Sequence, residues 1–193
     1  AHVTKAPPVY NREQTPGAFL TGAFLRWHSE QDGPWFAHLS YLNPHPPFIV
    51  PEPFNTLYDP QDGPAFHRAP TWTEEAASHP YVRYELDHQK QSKFLPGHSG
   101  DVRELDDDEF RTIRSIYYGM VSEIDDQLGR IWRALQNSGD WDNTIIILTS
   151  NLGARSLSEL PDGSDTASAK AEVMEAVRAH FRPEFLNRLD EII

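Results

Sequence analysis

Residues 106–148 read DDDEFRTIRSIYYGMVSEIDDQLGRIWRALQNSGDWDNTIIIL and carry the pattern that decides the fold. Four acidic residues, 106–109, stand where the dipole of a helix N-terminus favours negative charge. Apolar residues then recur every three or four positions, at Phe110, Ile113, Ile116, Met120, Ile124, Leu128, Ile131 and Leu135. This spacing predicts one long amphipathic helix that runs to about Ser138-Gly139.

The segments on either side of this helix complete an α/β pattern. Thr144–Leu148 is an uninterrupted β-branched run, typical of a strand buried on both faces of a parallel sheet. Upstream, Thr15 and Pro16 provide a helix start, Gly33-Pro34 ends that helix, and Trp35–Tyr41 has the pattern of a mostly buried strand. The apolar residues of this first helix are expected in the core, at Phe19, Leu20, Ala23, Phe24 and Trp27. Helix, strand, long loop, helix and strand together predict an α/β layered fold.

Proline is concentrated in the first half of the chain. Fourteen of the 16 prolines fall at or before Pro96. Because proline fixes φ and removes a hydrogen-bond donor, residues 43–96 are predicted to contain neither regular helix nor central strand. Aromatic residues are interspersed among these prolines, which favours a long ordered loop lying over a domain.

Composition excludes several classes of function. The chain has 17 Lys plus Arg against 29 Asp plus Glu, for a net charge of −12, and it contains no cysteine. The acidic balance argues against nucleic-acid binding, and the missing cysteine excludes disulfides, cysteine-ligated zinc and a cysteine nucleophile. No apolar run approaches the length of a membrane span, and no secretory leader opens the sequence. A cytoplasmic protein that does not enter the membrane is expected.

The remaining polar residues are interpreted in their simplest structural sense. Glu123, Asp125 and Asp126 are expected on the solvated face of the long helix and not as a carboxylate pair. Five histidines are expected to be scattered over the surface, because no two of them are spaced four residues apart on a helix, as a pair of metal ligands would be. They are His28, His67, His79, His88 and His98.

Three blocks resemble the sulfatase and phosphonate monoester hydrolase family, which belongs to the alkaline phosphatase superfamily. They read GPWFAHLSYLNPHPP at residues 33–47, YYGMVSEIDDQLGRI at residues 117–131 and NTIIILTS at residues 143–150. The resemblance implies a partial alkaline-phosphatase-like sandwich, in which a mostly parallel sheet is flanked by helices.

The same resemblance implies one catalytic residue, His45. In the family, a histidine in the Pro-His-Pro-Pro position contacts the transferred sulfuryl or phosphoryl group or the leaving oxygen, and His45 is the matching residue. An imidazole suits this role because it can donate a proton near neutral pH. The alternative is that His45 only forms hydrogen bonds inside a proline-stiffened loop.

The rest of the family's chemistry does not match. Its nucleophile lies in a Cys/Ser-x-Pro-x-Arg motif that these 193 residues lack, and its early Asp metal ligands are expected upstream of Ala1. Where the family has Asp-His-Gly or Asp-Asn-Gly, this chain has Asn151-Leu152-Gly153, and leucine cannot bind a metal. The implied divalent cation, Mn²⁺ or Ca²⁺, is therefore expected to have no intact site. The expected substrate is a small sulfate, phosphate or phosphonate ester, and the chain alone is expected to be inactive.

The C-terminal part resembles a second family, the second AAA+ module of ClpB-type disaggregases. The matching stretches read NTIIILTSNLGAR at residues 143–155 and VMEAVRAHFRPEFLNRLDEII at residues 173–193. The resemblance implies ATP as a cofactor, with Asn151 as the sensor near the γ-phosphate and Arg188 as an arginine finger. No Gly-x-x-x-x-Gly-Lys-Ser/Thr phosphate loop occurs in the chain. The alternative for Arg188 is a surface ion pair with Glu184 or Glu191.

Both resemblances pass through residues 143–151, which predicts a chimaera with its junction there. Residues 1–150 are expected to form an incomplete sulfatase-like hydrolase domain, and residues 151–193 a truncated, helical AAA+-like tail. The alternatives are a fragment of an ATP-dependent ClpB-type chaperone and a catalytically silent chain. The sequence leaves the oligomeric state open.

Overall fold

The computed structural model describes residues 2–147, 167–181, 183–187 and 189. The chain divides into two compact units, Ala1–Asn143 and Thr144–Ile193. The first unit contains helices α1 (Pro16–His28), α2 (Trp72–Ala77), α3 (Pro80–His88) and α4 (Asp107–Ser138), and the second contains α5 (Ala167–His180) and α6 (Pro183–Leu186). Single 3₁₀ turns lie at Arg12–Gln14, Phe54–Thr56, Gln91–Lys93, Val102–Glu104 and Trp141–Asn143. Within the described ranges, no helix combines the length and the apolar character needed to cross a membrane.

The predicted long helix is confirmed as α4. The Asp106 side chain accepts a hydrogen bond from the Glu109 N–H at 2.8 Å, and the Glu109 side chain accepts one from the Asp106 N–H at 3.1 Å. This reciprocal capping satisfies two backbone donors of the first turn. Gly139, with φ of +84°, ends the helix in the left-handed conformation that glycine adopts without steric cost.

The buried face of α4 is apolar at both ends and polar at its centre. Ile116, Met120, Ile131 and Leu135 are buried as predicted. Glu123 and Gln127 lie between these pairs and are only 0% and 2% exposed. The prediction that Glu123 lies on the solvated face is therefore wrong. Because it stands three residues after Met120 and eight before Ile131, the helical repeat places it on the same face as both.

Helix α1 begins where the sequence predicts. The Thr15 hydroxyl accepts a hydrogen bond from the Ala18 N–H at 3.0 Å, and Pro16 occupies the first helical position. The helix ends at His28, earlier than the predicted Gly33-Pro34, since the N–H of the capping residue Ser29 already closes the last turn on the Leu25 carbonyl at 3.2 Å.

The buried face of α1 differs from the predicted aromatic stripe. Phe24 is buried, but Phe19 is 73% exposed and Trp27 is 37% exposed. The face turned inward consists mainly of small residues, Gly17, Ala18, Thr21, Phe24 and His28. Gly17, Ala18 and Thr21 allow the first half of α1 to approach α4 closely, and Phe24 is the aromatic residue of the predicted stripe that packs against Ile131 and Leu135 of α4. His28, expected on the surface, is buried, with its Nε2 atom 2.9 Å from Asp140 Oδ2.

The prediction that residues 43–96 contain no regular helix is wrong, because α2 and α3 lie inside this stretch. Thr71 and Glu74 form a capping box at the start of α2. Pro80 is the first residue of α3, where its missing N–H would have no helical partner, and the His79 side chain caps that helix. The proline therefore begins a helix here and does not interrupt one.

No β-strand is present in the described part of the chain, so the predicted parallel sheet is not observed there. Residues 35–42 alternate between half-buried and exposed, as an extended chain does. However, no backbone–backbone hydrogen bond joins residues 33–41 to any other described residue. A strand requires such a partner, which explains why Trp35–Tyr41 does not form one. Residues 144–147 are likewise outside regular structure, and Leu148 lies outside the described residues.

Helix α4 carries both hydrophobic clusters of the first unit. One cluster joins Ile116 and Met120 to Val50 and Phe54 of the proline-rich segment. The other joins Ile131 and Leu135 to Phe24 of α1, and four alternate residues of the extended segment pack against it: Trp35, Ala37, Leu39 and Tyr41. The residues that follow this segment, 43–47, are thus held close to the middle of α4.

Candidate functional site

His45 lies at the tip of the loop that links the extended segment to the proline-rich segment. Its N–H donates to the Leu42 carbonyl at 2.9 Å, which closes a turn, and its side chain is exposed. The Asn43–Pro44 and Pro46–Pro47 peptide bonds are both cis. His45 therefore lies in a loop, with prolines at positions 44, 46 and 47, and its role stays a prediction.

The imidazole of His45 makes one hydrogen bond among the described residues. Its Nδ1 atom lies 2.8 Å from the Pro46 carbonyl oxygen. A carbonyl oxygen only accepts, so Nδ1 carries the proton. The Nε2 atom then remains available, as an acceptor in the neutral ring and as a donor in the imidazolium. This arrangement is compatible with both readings of His45, the site residue and the loop hydrogen bond.

A buried carboxylate lies against the base of this loop. The Asn43 amide donates from Nδ2 to Glu123 Oε2 at 3.1 Å, and the Thr15 hydroxyl donates to Glu123 Oε1 at 2.8 Å. Through these two hydrogen bonds Glu123 links α4 to the N-cap of α1 and to the loop of residues 43–47, the histidine loop. Buried carboxylates are stable only when hydrogen-bonded or paired, and here each oxygen has a donor.

Sequence reasoning missed Thr15, Asn43 and Glu123 as parts of this site. For Glu123 the signal was present, because it falls in register with Met120 and Ile131 on the apolar face. Along α4, buried apolar residues lie both before and after Glu123. A charged residue between them on the same face indicates a buried polar contact. Nothing in the local sequence indicates that its partners are 80 and 108 positions away.

Two tyrosines near Glu123 are held in the protonated form. Burial, with a smaller contribution from the negative charge of Glu123, raises the pKa of Tyr10. Burial also raises the pKa of Tyr41, and Glu123 adds to this, while the Thr21 hydroxyl and Arg130 act in the opposite direction. The Tyr41 hydroxyl lies 2.7 Å from Thr21 Oγ1. Both phenols therefore act as neutral hydrogen-bonding groups near pH 7 and not as nucleophiles.

The described residues do not fit the divalent cation that the family resemblance implies. Nowhere among them do three or more His, Asp or Glu side chains converge as a metal site requires. Glu123, the carboxylate that accepts a hydrogen bond from Asn43 of the loop, has a protein donor at each of its two oxygens. Asn151 and Arg188, the residues implied by the AAA+ resemblance, lie outside the described residues.

Comparisons with known proteins agree with the two resemblances. A family model described as Sulfatase matches residues 6–172. The multifunctional alkaline phosphatase superfamily protein PehA of Trinickia caryophylli is 39% identical over 151 residues, which cover 78% of this chain and 29% of PehA. The chaperone protein ClpB of Rhodopseudomonas palustris is 46% identical over 78 residues, which cover 40% of this chain and 9% of ClpB.

Two solved structures are similar to the first part of the chain. The phosphonate monoester hydrolase of Agrobacterium radiobacter has a TM-score of 0.73 and 48% identity, over 76% of this chain and 29% of that chain. The enzyme of the same name from Silicibacter pomeroyi has a TM-score of 0.63 and 34% identity, over 72% and 28%. The chain thus spans less than a third of the length of the relatives that it matches.

The two sets of similarities overlap. The PehA and ClpB alignments, 151 and 78 residues long, together exceed the 193 residues of the chain, and the Sulfatase match extends to residue 172. The segment shared by the two alignments is therefore longer than the few residues at 143–151. The division into domains at 1–150 and 151–193 stays a prediction.

Proposed function

We propose that this chain, which belongs to the sulfatase family, is a piece of an ester-hydrolysing enzyme to which it supplies His45. The substrate would be a small sulfate, phosphate or phosphonate ester. One observation carries the proposal. His45 is exposed at a loop tip, and its Nδ1–H is committed to the Pro46 carbonyl, which leaves Nε2 free to face a substrate.

The chemistry proposed for His45 is proton donation to the leaving oxygen. As the bond from phosphorus or sulfur to that oxygen breaks, the proton on Nε2 of the imidazolium passes to the oxygen, and the ring becomes neutral. A well-placed acid of this kind contributes about 10²- to 10⁴-fold to a rate. The nucleophile and the divalent cation, Mn²⁺ or Ca²⁺ in this proposal, would come from outside the described residues.

The first test is hydrolysis by the full 193-residue chain. Aryl sulfate, phosphodiester and phosphonate monoester substrates are each assayed with Mn²⁺ or Ca²⁺. We expect a rate no higher than that of the His45→Ala variant, because no nucleophile motif is present in the sequence. The exposed residue His38 provides a matched control, His38→Ala. Turnover that His45→Ala abolishes and His38→Ala preserves would support the role of His45 and would contradict the expected inactivity of the chain alone. Turnover that both variants preserve would contradict the role proposed for His45.

The proposed partners follow from charge. With a net charge of −12, the chain is proposed to act on small esters and not on nucleic acid. Its proposed location is the cytoplasm. An electrophoretic mobility assay with duplex DNA at low salt is expected to show no shift. Cell fractionation tests the location.

A second candidate function is supported by the ClpB alignment. In this proposal the C-terminal segment joins an ATP-bound ClpB-type ring and lends Arg188 to a neighbouring nucleotide site. Full-length ClpB and this chain are sedimented together with and without ATP. ATP-dependent co-sedimentation that is lost in Arg188→Ala supports this function, and no association in either condition rejects it.

A further inference from the structure

The loop that carries His45 has few connections to the rest of the protein. Among the described residues, the side chains of residues 43–47 make one hydrogen bond outside the loop, from Asn43 to Glu123. The other hydrogen bonds nearby are local or lie at its end, where the Phe48 N–H donates to the Phe94 carbonyl at 2.7 Å. The Asn43–Glu123 contact is therefore the point at which the position of the loop is tied to α4.

The carboxylate that receives this hydrogen bond is itself fixed. Glu123 is fully buried on α4, and its second oxygen accepts from Thr15, the N-cap of α1. A Cβ atom at Gly17 would lie 3.1 Å from Glu123 Oε1, so the first turn of α1 leaves little space for the carboxylate to move. The N-terminus of a helix also favours a negative charge at this place.

From these contacts we propose that Glu123 is a positioning residue for His45 and acts through Asn43, two residues before the histidine. Glu123 does not touch the substrate. It determines where the loop leaves the protein surface and therefore where Nε2 of His45 points. This inference rests on the proposed function of His45. A displacement of about 1 Å in a catalytic group can cost about 10²-fold in rate, so such a support is functionally significant.

The test uses a property of His45 that does not depend on hydrolysis. The hydrogen bond to the Pro46 carbonyl assigns the proton of the neutral ring to Nδ1, and long-range ¹H–¹⁵N spectra of the neutral ring report which nitrogen carries the proton. The full chain is compared with Glu123→Leu, which leaves the Asn43 amide without its acceptor. We expect the His45 signals of this variant to change to those of a mixture of the two tautomers.

Gln127→Leu is the matched control. Gln127 is 2% exposed and lies on the same face of α4, one turn after Glu123. Its side chain accepts a hydrogen bond from Arg130 and not from the loop. We expect it to leave the His45 tautomer unchanged. Glu123→Gln is the conservative variant. Its amide can accept from Thr15 and donate to a flipped Asn43, so we expect it to restore the native tautomer.

Asn43→Ala removes the same hydrogen bond from the loop side without altering the buried face of α4, and so it applies even if Glu123→Leu does not fold. A native His45 tautomer in a cooperatively melting Asn43→Ala variant would overturn the inference. Equal changes of the His45 tautomer in Gln127→Leu and Glu123→Leu would also overturn the inference. Failure of the hydrolase proposal would leave this tautomer measurement unaffected, so the two failures are distinguishable.

Discussion

At the scale of single residues, Gly119 lies where α4 passes very close to the backbone of the proline-rich segment. A Cβ atom at this position would lie 2.3 Å from the Phe54 carbonyl oxygen. This atom belongs to the backbone and cannot rotate away, so only glycine allows the helix and the segment to pack at this distance. The close approach is part of the cluster of Val50, Phe54, Ile116 and Met120.

Gly119→Ala is therefore expected to destabilise the protein. Overpacking of this kind costs about 1–3 kcal/mol in the free energy of unfolding. Gly129→Ala on the same helix is the control, because the atoms nearest to its Cβ belong to the end of the flexible Arg133 side chain, with Nη1 at 3.2 Å. That variant is expected to gain about 0.5–1 kcal/mol from helix propensity. Urea unfolding measures both, and equal effects of the two substitutions would contradict the packing described here.

The residue scale also shows where the sequence misleads. The apolar period of α4 correctly identifies Ile116, Met120, Ile131 and Leu135. The same period includes Glu123. Because carboxylates are rarely buried, the residue type predicts the solvated face, although the position in the helical repeat indicates the buried one. The partners that make its burial possible, Thr15 and Asn43, are distant in sequence and become neighbours only in the folded chain.

At the scale of elements, α1 and α4 could be predicted, whereas α2 and α3 were not predicted and the two predicted strands are not observed among the described residues. The limits of α4 follow from local signals, since Asp106 and Glu109 cap one end and Gly139 the other. α3 is not predicted from the proline content, because proline disrupts a helix only in its interior and Pro80 stands at the first helical position. A strand depends on a partner elsewhere in the chain, and Trp35–Tyr41 has the alternation of a strand without a hydrogen-bonded neighbour.

Hydrogen exchange distinguishes this unpaired segment from a strand. The amides of residues 35–41 are expected to exchange close to their intrinsic rates, because they have no backbone acceptor among the described residues. The amides of residues 116–131, inside α4, are the internal reference and are expected to be strongly protected. Protection of residues 35–41 equal to that of α4 would show that this backbone is paired in solution, in contradiction to the structure.

At the scale of the whole molecule, the 193-residue chain is similar to two kinds of protein. It belongs to the sulfatase family, yet it covers 29% of PehA and 29% of the Agrobacterium radiobacter enzyme. Its similarity to ClpB covers 9% of that chaperone. Neither proposed function is therefore expected from this chain in isolation, and the first unit is best tested inside a longer relative.

The most direct measurement places residues 6–143 of this chain in the Agrobacterium radiobacter phosphonate monoester hydrolase, in exchange for the matching stretch. The recipient then supplies everything outside this stretch. We predict that the exchanged enzyme hydrolyses a phosphonate monoester and that His45→Ala lowers kcat by about 10²-fold or more, as loss of a general acid does. Hydrolysis that is unchanged by His45→Ala would contradict the account. So would the absence of hydrolysis in an exchanged enzyme that melts cooperatively.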